Sequence, residues 1–159
     1  MKAAWLFPGQ ASQKVGMGKD LFDQTDLGKH YFECANEIMG CDIQSIIFDG
    51  PEDTLKQTQY TQPSIYIVSV ILGELLKEKG FFPNAVAGHS LGEYSALAVA
   101  NAFDFETGLS LVKVRAESMA KAGEIKEGTM GEYFDNYDFL RCKQGLSTLL
   151  IAKSFNSDK

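Results

Sequence analysis

One serine in this sequence lies in a setting that could make it a nucleophile. Residues 88–92 read GHSLG, which fits the G-x-S-x-G pattern of a nucleophile elbow around Ser90. The apolar run Asn84–Ala87 predicts a strand before it, and the Ala- and Leu-rich run Leu91–Ala100 predicts a helix after it. Free N–H groups at such a helix start would face the oxyanion formed in acyl transfer. The alternative is a glycine-rich turn without chemistry, because so short a pattern is weak alone.

Two polar side chains elsewhere could act on a substrate at Ser90. Arg115 lies four residues from both Leu111 and Met119, which places its guanidinium at the edge of an apolar helical strip. It could bind a carboxylate through two parallel hydrogen bonds, which suits a dicarboxylic acyl group. The alternative is an arginine that pairs with a surface glutamate. Gln10 follows the first predicted strand and could face the serine, unless it is a solvated loop residue.

The chain contains two histidines, and neither is predicted to be the base that would activate Ser90. His89 adjoins the serine, but neighbouring residues at an elbow point in different directions, whereas a base must reach the hydroxyl at hydrogen-bond distance. We therefore expect His89 to pack beside the turn or to support it indirectly. His30 lies in a polar amphipathic stretch and is expected on a solvated helix face.

Strand and helix patterns alternate along the chain. Lys2–Phe7 predicts a buried strand, and the periodic run Pro63–Lys79 predicts a helix. Asp104 is expected to cap another helix, because its side chain can accept from the free N–H groups of a first turn. The apolar stripes of these two helices are predicted to be Ile65, Val68, Leu72, Leu75 and Leu76 in the first and Leu109, Val112, Ala116 and Met119 in the second. Such alternation indicates an α/β domain with a doubly wound parallel sheet.

Composition limits the partners of this chain. A formal charge of −6 would repel nucleic acid and anionic membranes, so neither is expected as a partner. Polar residues interrupt the apolar runs before they reach the length of a membrane span. Met1–Phe7 is too short for a secretory signal. Cys34, Cys41 and Cys142 form an odd set without metal-ligand spacing, which favours reduced thiols in a cytoplasm and predicts no metal site.

Four segments together resemble the bacterial malonyl-CoA:acyl carrier protein transacylases. In chain order they are FPGQASQ at residues 7–13, TQPS at 61–64, GHSLGEYSAL at 88–97, and Arg115 followed by Met119. Their order and spacing match that family from about Lys2 to about Gly131. Within the wider acyltransferase group, the arginine followed by the methionine is similar to the malonyl-selective members.

The resemblance implies a role for each matched residue. Ser90 would be the acylated nucleophile, and the backbone N–H groups of Gln10 and Leu91 would form the oxyanion hole. Arg115 would hold the malonyl carboxylate, and Met119 would line the acyl pocket. The implied reaction passes malonyl from malonyl-CoA to the serine and then to the phosphopantetheine thiol of acyl carrier protein, in fatty acid biosynthesis. CoA enters as the acyl carrier, and no metal or other cofactor is implied, because a thioester is already activated.

The sequence departs from the family in two places. Ala11 stands where the family usually has glycine, and we expect it to be tolerated if its φ is negative. Family members are also longer, with a ferredoxin-like subdomain inserted near Gly131 and a catalytic histidine beyond it. We therefore expect a truncated, α/β-hydrolase-like acyltransferase subdomain over residues 1–131, without the ferredoxin-like part. Residues 132–159 are expected to be a divergent tail, which a shifted reading frame or disorder would explain.

Two other functions stay open from the sequence. A serine esterase would also use an elbow, but it has no need of a carboxylate clamp, so Arg115 discriminates between the two. A truncated fragment without its base would be catalytically impaired, because loss of a triad member lowers the rate by several orders of magnitude. Such a fragment is also expected to expose a sheet edge and apolar faces.

Overall fold

The computed structural model of the chain describes residues 2–125 and 150–152. In chain order their elements are β1 (Ala4–Phe7), α1 (Lys19–Gln24), α2 (Asp26–Met39), α3 (Ile43–Asp49), α4 (Glu52–Leu55), α5 (Thr58–Glu78), β2 (Ala85–Gly88), α6 (Gly92–Val99), α7 (Phe105–Ile125) and β3 (Leu150–Ala152). The described residues form both strands and helices, so the predicted α/β class is confirmed. The strand β3 lies within the segment that the sequence predicts to be a divergent tail.

The sheet brings two turns to one edge. β1 and β2 pair in parallel, from Ala4 opposite Ala85 to Phe7 opposite Gly88. β3 pairs antiparallel with β2, so the described sheet is mixed, whereas the sequence predicted a parallel one. Because β1 and β2 run in the same direction, the loop after Phe7 and the turn after Gly88 leave the sheet side by side.

The main core lies between helices, chiefly α2, α3, α5 and α7. Tyr66 of α5 is fully buried, and its hydroxyl donates to the carbonyl of Phe105 at 3.1 Å. The stripe predicted on α7 is confirmed for Leu109, Val112 and Ala116, which are all completely buried. This apolar burial fixes α7 against α5. In the described part of the chain, no helix is long and apolar enough to cross a membrane.

Helix α5 differs from its prediction at its start and on its buried face. It begins at Thr58, and the predicted start, Pro63, lies inside the helix. Leu72 and Leu76 of the predicted stripe are 46% and 39% exposed, whereas Ile71 is fully buried. The physical reason is that α5 packs against α2, α6 and α7 together, so its periodicity does not mark one buried face. The two exposed leucines line an apolar groove beside β1.

The start of α7 follows its prediction, and the end of α5 has the geometry of a helix stop. Asp104 caps α7, because its carboxylate accepts from the backbone N–H of Thr107 at 2.8 Å. Hydrogen bonds from Thr107 lower the pKa of Asp104. A lowered pKa in the folded state means that the cap stabilises the fold above the unfolded pKa and that this contribution is lost as the pH falls. Gly80 follows α5 with a φ of +83°, the left-handed conformation of a helix stop.

The loop after β1 contains a residue in an unfavourable conformation. Ala11 has a φ of +81°, where a Cβ costs roughly 1–2 kcal/mol. The condition under which alanine would be tolerated, a negative φ, is therefore not met, because the tight turn at residues 10–11 places Ala11 in the left-handed region. The backbone N–H of Ala11 donates to Oε1 of Gln13 at 2.9 Å, which helps to hold this turn.

Replacing Ala11 with glycine should raise the free energy of unfolding by about 0.5–1 kcal/mol, because glycine adopts a positive φ without the Cβ clash. Urea unfolding followed by circular dichroism measures the change. Gly40→Ala is the matched control, since Gly40 has a φ of +70° and nothing within 4 Å of an added Cβ. It should lower the stability by a similar amount. If Gly40→Ala lowers the free energy of unfolding while Ala11→Gly leaves it unchanged, the result would contradict the positive φ of Ala11.

Candidate active site

Ser90 lies at the tip of the turn between β2 and α6. Its φ of +53° is one that residues other than glycine rarely adopt, and it is the strained backbone of a nucleophile elbow. Two glycines make this turn possible. A Cβ at Gly88 would overlap the backbone of Gly92, and a Cβ at Gly92 would overlap the carbonyl of Phe7. Backbone packing therefore requires both glycines of the motif, and it fixes where Ser90 stands.

The loop after β1 lies against the same turn. The backbone N–H of His89 donates to the end of β1 at 3.1 Å, and a Cβ at Gly9 would lie 2.8 Å from Nδ1 of His89. The side chain of Gln10 donates to the hydroxyl of Thr58 at 3.2 Å, which ties it to the start of α5. Among residues 2–125, no backbone carbonyl accepts from the N–H group of Gln10 or Leu91. Their predicted role as oxyanion donors stays a prediction.

Arg115 of α7 reaches the serine. Its Nη2 donates to Oγ of Ser90 at 3.1 Å, and its Nη1 donates to Oε1 of Gln62. The guanidinium carbon lies 5.9 Å from the ring centre of Tyr94 on α6, within the range of cation–π attraction. These contacts all point into the protein. They argue against the alternative in which Arg115 pairs with a surface glutamate.

Gln62 is a residue of the site to which the sequence analysis gave no role. It is fully buried near the start of α5. Its amide oxygen accepts from Arg115, and its amide nitrogen lies 3.3 Å from Sδ of Met119. A buried amide is costly without partners, so these contacts fix its orientation. The one signal in the sequence is the presence of TQPS among the four family-like segments.

The two histidines occupy different places. His30 is exposed on α2, where its ring nitrogens lie 3.9 and 3.8 Å from Sγ of Cys34. His89 is exposed at the elbow beside Gly9. The side chain that donates to Ser90 is Arg115, which has no acceptor site and stays charged, so it cannot take the serine proton. That neither histidine is the base stays a prediction.

An α/β fold that presents a serine on a strained strand-to-helix turn defines a class of enzymes that carry acyl groups as serine esters. Residues 4–151 match the family model described as the acyl transferase domain, and the chain belongs to that family. Relatives and solved structures named as malonyl-CoA:acyl carrier protein transacylases confirm the resemblance predicted from the sequence.

Three of these similar proteins show the extent of the match. The transacylase of Synechocystis sp. is 48% identical over 159 residues, covering 99% of this chain and 52% of that protein. The transacylase of Bacillus subtilis is 43% identical over 129 residues, covering 81% of this chain and 41% of that protein. The crystal structure of the Synechocystis enzyme matches with a TM-score of 0.74 and 54% identity, over 77% of this chain and 41% of that one. The chain spans about half the length of these relatives, or less.

The family match also extends along the chain beyond the four segments. It runs to residue 151, past the point near Gly131 where the resemblance read from the motifs ends. Most of the predicted divergent tail, residues 132–159, lies outside the residues that the structure describes. The division of the chain at residue 131 stays a prediction.

Gly92→Ala should lower the free energy of unfolding by about 1–3 kcal/mol, because the added Cβ overlaps the end of β1 and α6 must shift. Urea unfolding measures this change. Gly123→Ala on α7 is the matched control, because nothing lies within 4 Å of a Cβ there. It should be neutral or slightly stabilising, since alanine favours a helix. A Gly92→Ala chain as stable as the wild type would contradict the close packing at the elbow.

Proposed function

We propose that Ser90 carries a malonyl group from malonyl-CoA to the phosphopantetheine thiol of acyl carrier protein, in fatty acid biosynthesis. The observation that carries this proposal is the hydrogen bond of 3.1 Å from Nη2 of Arg115 to Oγ of Ser90. It puts a permanent positive charge beside the nucleophile. CoA serves as the acyl carrier, and no other cofactor is proposed.

A malonyl ester on Ser90 would bring its carboxylate to this charge. The carboxylate carbon is three covalent bonds from Oγ, a span of at most about 4 Å. After acylation the serine oxygen is an ester oxygen and a poorer acceptor, so Nη2 of Arg115 can turn to the carboxylate while Gln62 keeps Nη1. Charge-assisted hydrogen bonds of this kind form only with a dicarboxylic acyl group. The site therefore favours malonyl over acetyl transfer.

The chemistry consists of two acyl transfers. Oγ of Ser90 attacks the thioester carbonyl while a base takes the hydroxyl proton, and the oxyanion would be stabilised by the N–H groups of Gln10 and Leu91. The C–S bond then breaks, and CoA leaves as a thiolate that takes up a proton. In the second transfer the carrier protein thiol attacks the ester and the serine hydroxyl is restored. We propose that the base is a histidine in the half of the fold that the relatives have and this chain does not span.

The same proposal covers the finer features of the fold and the partner. β1 and β2 would belong to a doubly wound, α/β-hydrolase-like sheet, with a ferredoxin-like subdomain in the part that this chain does not span. A solved complex of a type II PKS acyl-carrier protein with its malonyl-transacylase matches 77% of this chain at 39% identity and a TM-score of 0.72. This match supports acyl carrier protein as the partner. A cytoplasmic location stays a prediction.

A serine esterase fits the site less well, because it has no use for a guanidinium beside its nucleophile.

The similar proteins include a polyketide malonyl transacylase of Bacillus subtilis, which is 46% identical over 117 residues. Malonyl transfer is therefore the step common to the fatty acid and polyketide relatives. We expect this chain to acylate slowly, because neither of its histidines is predicted to be the base.

Intact-mass spectrometry after incubation with malonyl-CoA or acetyl-CoA tests the proposal. Wild type should gain a malonyl adduct that is absent from Ser90→Ala. Arg115→Ala should malonylate about 10–100-fold more slowly, because a charged hydrogen bond contributes about 1.5–3 kcal/mol. Its acetylation should be nearly unchanged. Lys121→Ala is the matched control, because it removes an exposed cation from the same helix.

Each other outcome would contradict a defined part of the proposal. Malonylation of Arg115→Ala at the wild-type rate would show that Arg115 does not bind the malonyl carboxylate. An adduct that persists in Ser90→Ala would show that Ser90 is not the nucleophile. No adduct on a folded wild-type sample would mean that this chain keeps the fold of the family without the first acyl transfer.

A further inference from the structure

Three side chains with metal-binding atoms lie close together where α2 and the start of α7 meet. His30 and Cys34 lie one turn apart on α2, and Glu106 lies in the first turn of α7. One ligand atom from each, an imidazole nitrogen, the thiol sulfur and a carboxylate oxygen, lies within 4.8 Å of the others. His30 and Glu106 are exposed and Cys34 is half-buried, so an ion from solvent can reach them.

We propose that His30, Cys34 and Glu106 bind a zinc ion, with water as the fourth ligand. The donor set favours Zn²⁺, because imidazole, thiolate and carboxylate are its three side-chain ligands, whereas Mg²⁺ and Ca²⁺ take oxygen ligands. The spacing also fits, since residues four apart on a helix face the same side.

The charges around the thiol favour a cation. The carboxylates of Glu106, Glu37 and Glu33 lie close enough to the thiol of Cys34 to act on it electrostatically. Their negative potential attracts a divalent ion, which would in turn stabilise the thiolate.

The proposed ion would connect α2 to α7. Glu106 is on the same helix as Arg115, the arginine that donates to Ser90. Zinc would therefore stabilise the packing of a helix that carries a residue of the candidate active site, without contacting the substrate. No metal site was predicted from the sequence, because the three cysteines lack metal-ligand spacing and Glu106 comes from a distant part of the chain. The proposal revises that expectation.

Cobalt titration of the full 159-residue chain tests the site. Co²⁺ replaces Zn²⁺ in such sites, and a thiolate ligand gives a sulfur-to-cobalt charge-transfer band in the near ultraviolet. Wild type should show this band, and Zn²⁺ should remove it. Cys34→Ser should abolish it, whereas His30→Ala and Glu106→Gln should weaken cobalt binding about tenfold or more. Far-UV circular dichroism checks that every variant is folded.

The matched controls are Cys41→Ser and Cys142→Ser, which remove the other two thiols and should keep the band. Zn²⁺ should also raise the melting temperature of wild type and of both controls, but not that of Cys34→Ser. The proposal would be overturned by the absence of a band in wild type, by a band that persists in Cys34→Ser, or by unchanged cobalt affinity in Glu106→Gln. The last variant changes an exposed side chain, so its folding should be unaffected.

Discussion

The hydrogen bond between Arg115 and Gln62 crosses from α7 to α5, and the geometry of the candidate active site depends on it. An arginine side chain has several rotatable bonds and would otherwise extend into solvent. Gln62 is fully buried, so its amide must be satisfied inside the protein, and Arg115 and Met119 are the partners that it finds. The result is a guanidinium with one nitrogen fixed and the other 3.1 Å from Oγ of Ser90.

The serine is placed by a different constraint, the contact of backbone with backbone. Gly88 and Gly92 allow α6 to start directly against the end of β1, and the turn between them forces Ser90 into a positive φ. The sheet positions Ser90, the proposed nucleophile, while the helix core positions Arg115. Because α6 packs on both the sheet and α5, these two parts of the fold are joined at the site. A proton acceptor is the element that the proposed chemistry still requires.

Local patterns were sufficient to predict the parts of this fold that local physics determines. The strand-turn-helix unit around Ser90 and the buried stripe of α7 each depend on residues close in sequence. The burial of Gln62 depends on a partner 53 positions away, and the exposure of Leu72 depends on which helices surround α5. The positive φ of Ala11 follows from a turn geometry that alanine itself does not favour. Contacts between distant elements, such as Glu106 with Cys34, leave no local pattern.

In the proposed acyl enzyme, Arg115, held by Gln62, receives the carboxylate of an acyl group on Ser90. A crystal structure of the chain after incubation with malonyl-CoA would test this arrangement. We expect a malonyl ester on Oγ of Ser90, with its carboxylate on Nη2 of Arg115 and with Nη1 still bonded to Gln62. An ester whose carboxylate points to solvent, with Arg115 turned away from the serine, would contradict the proposed role of Arg115.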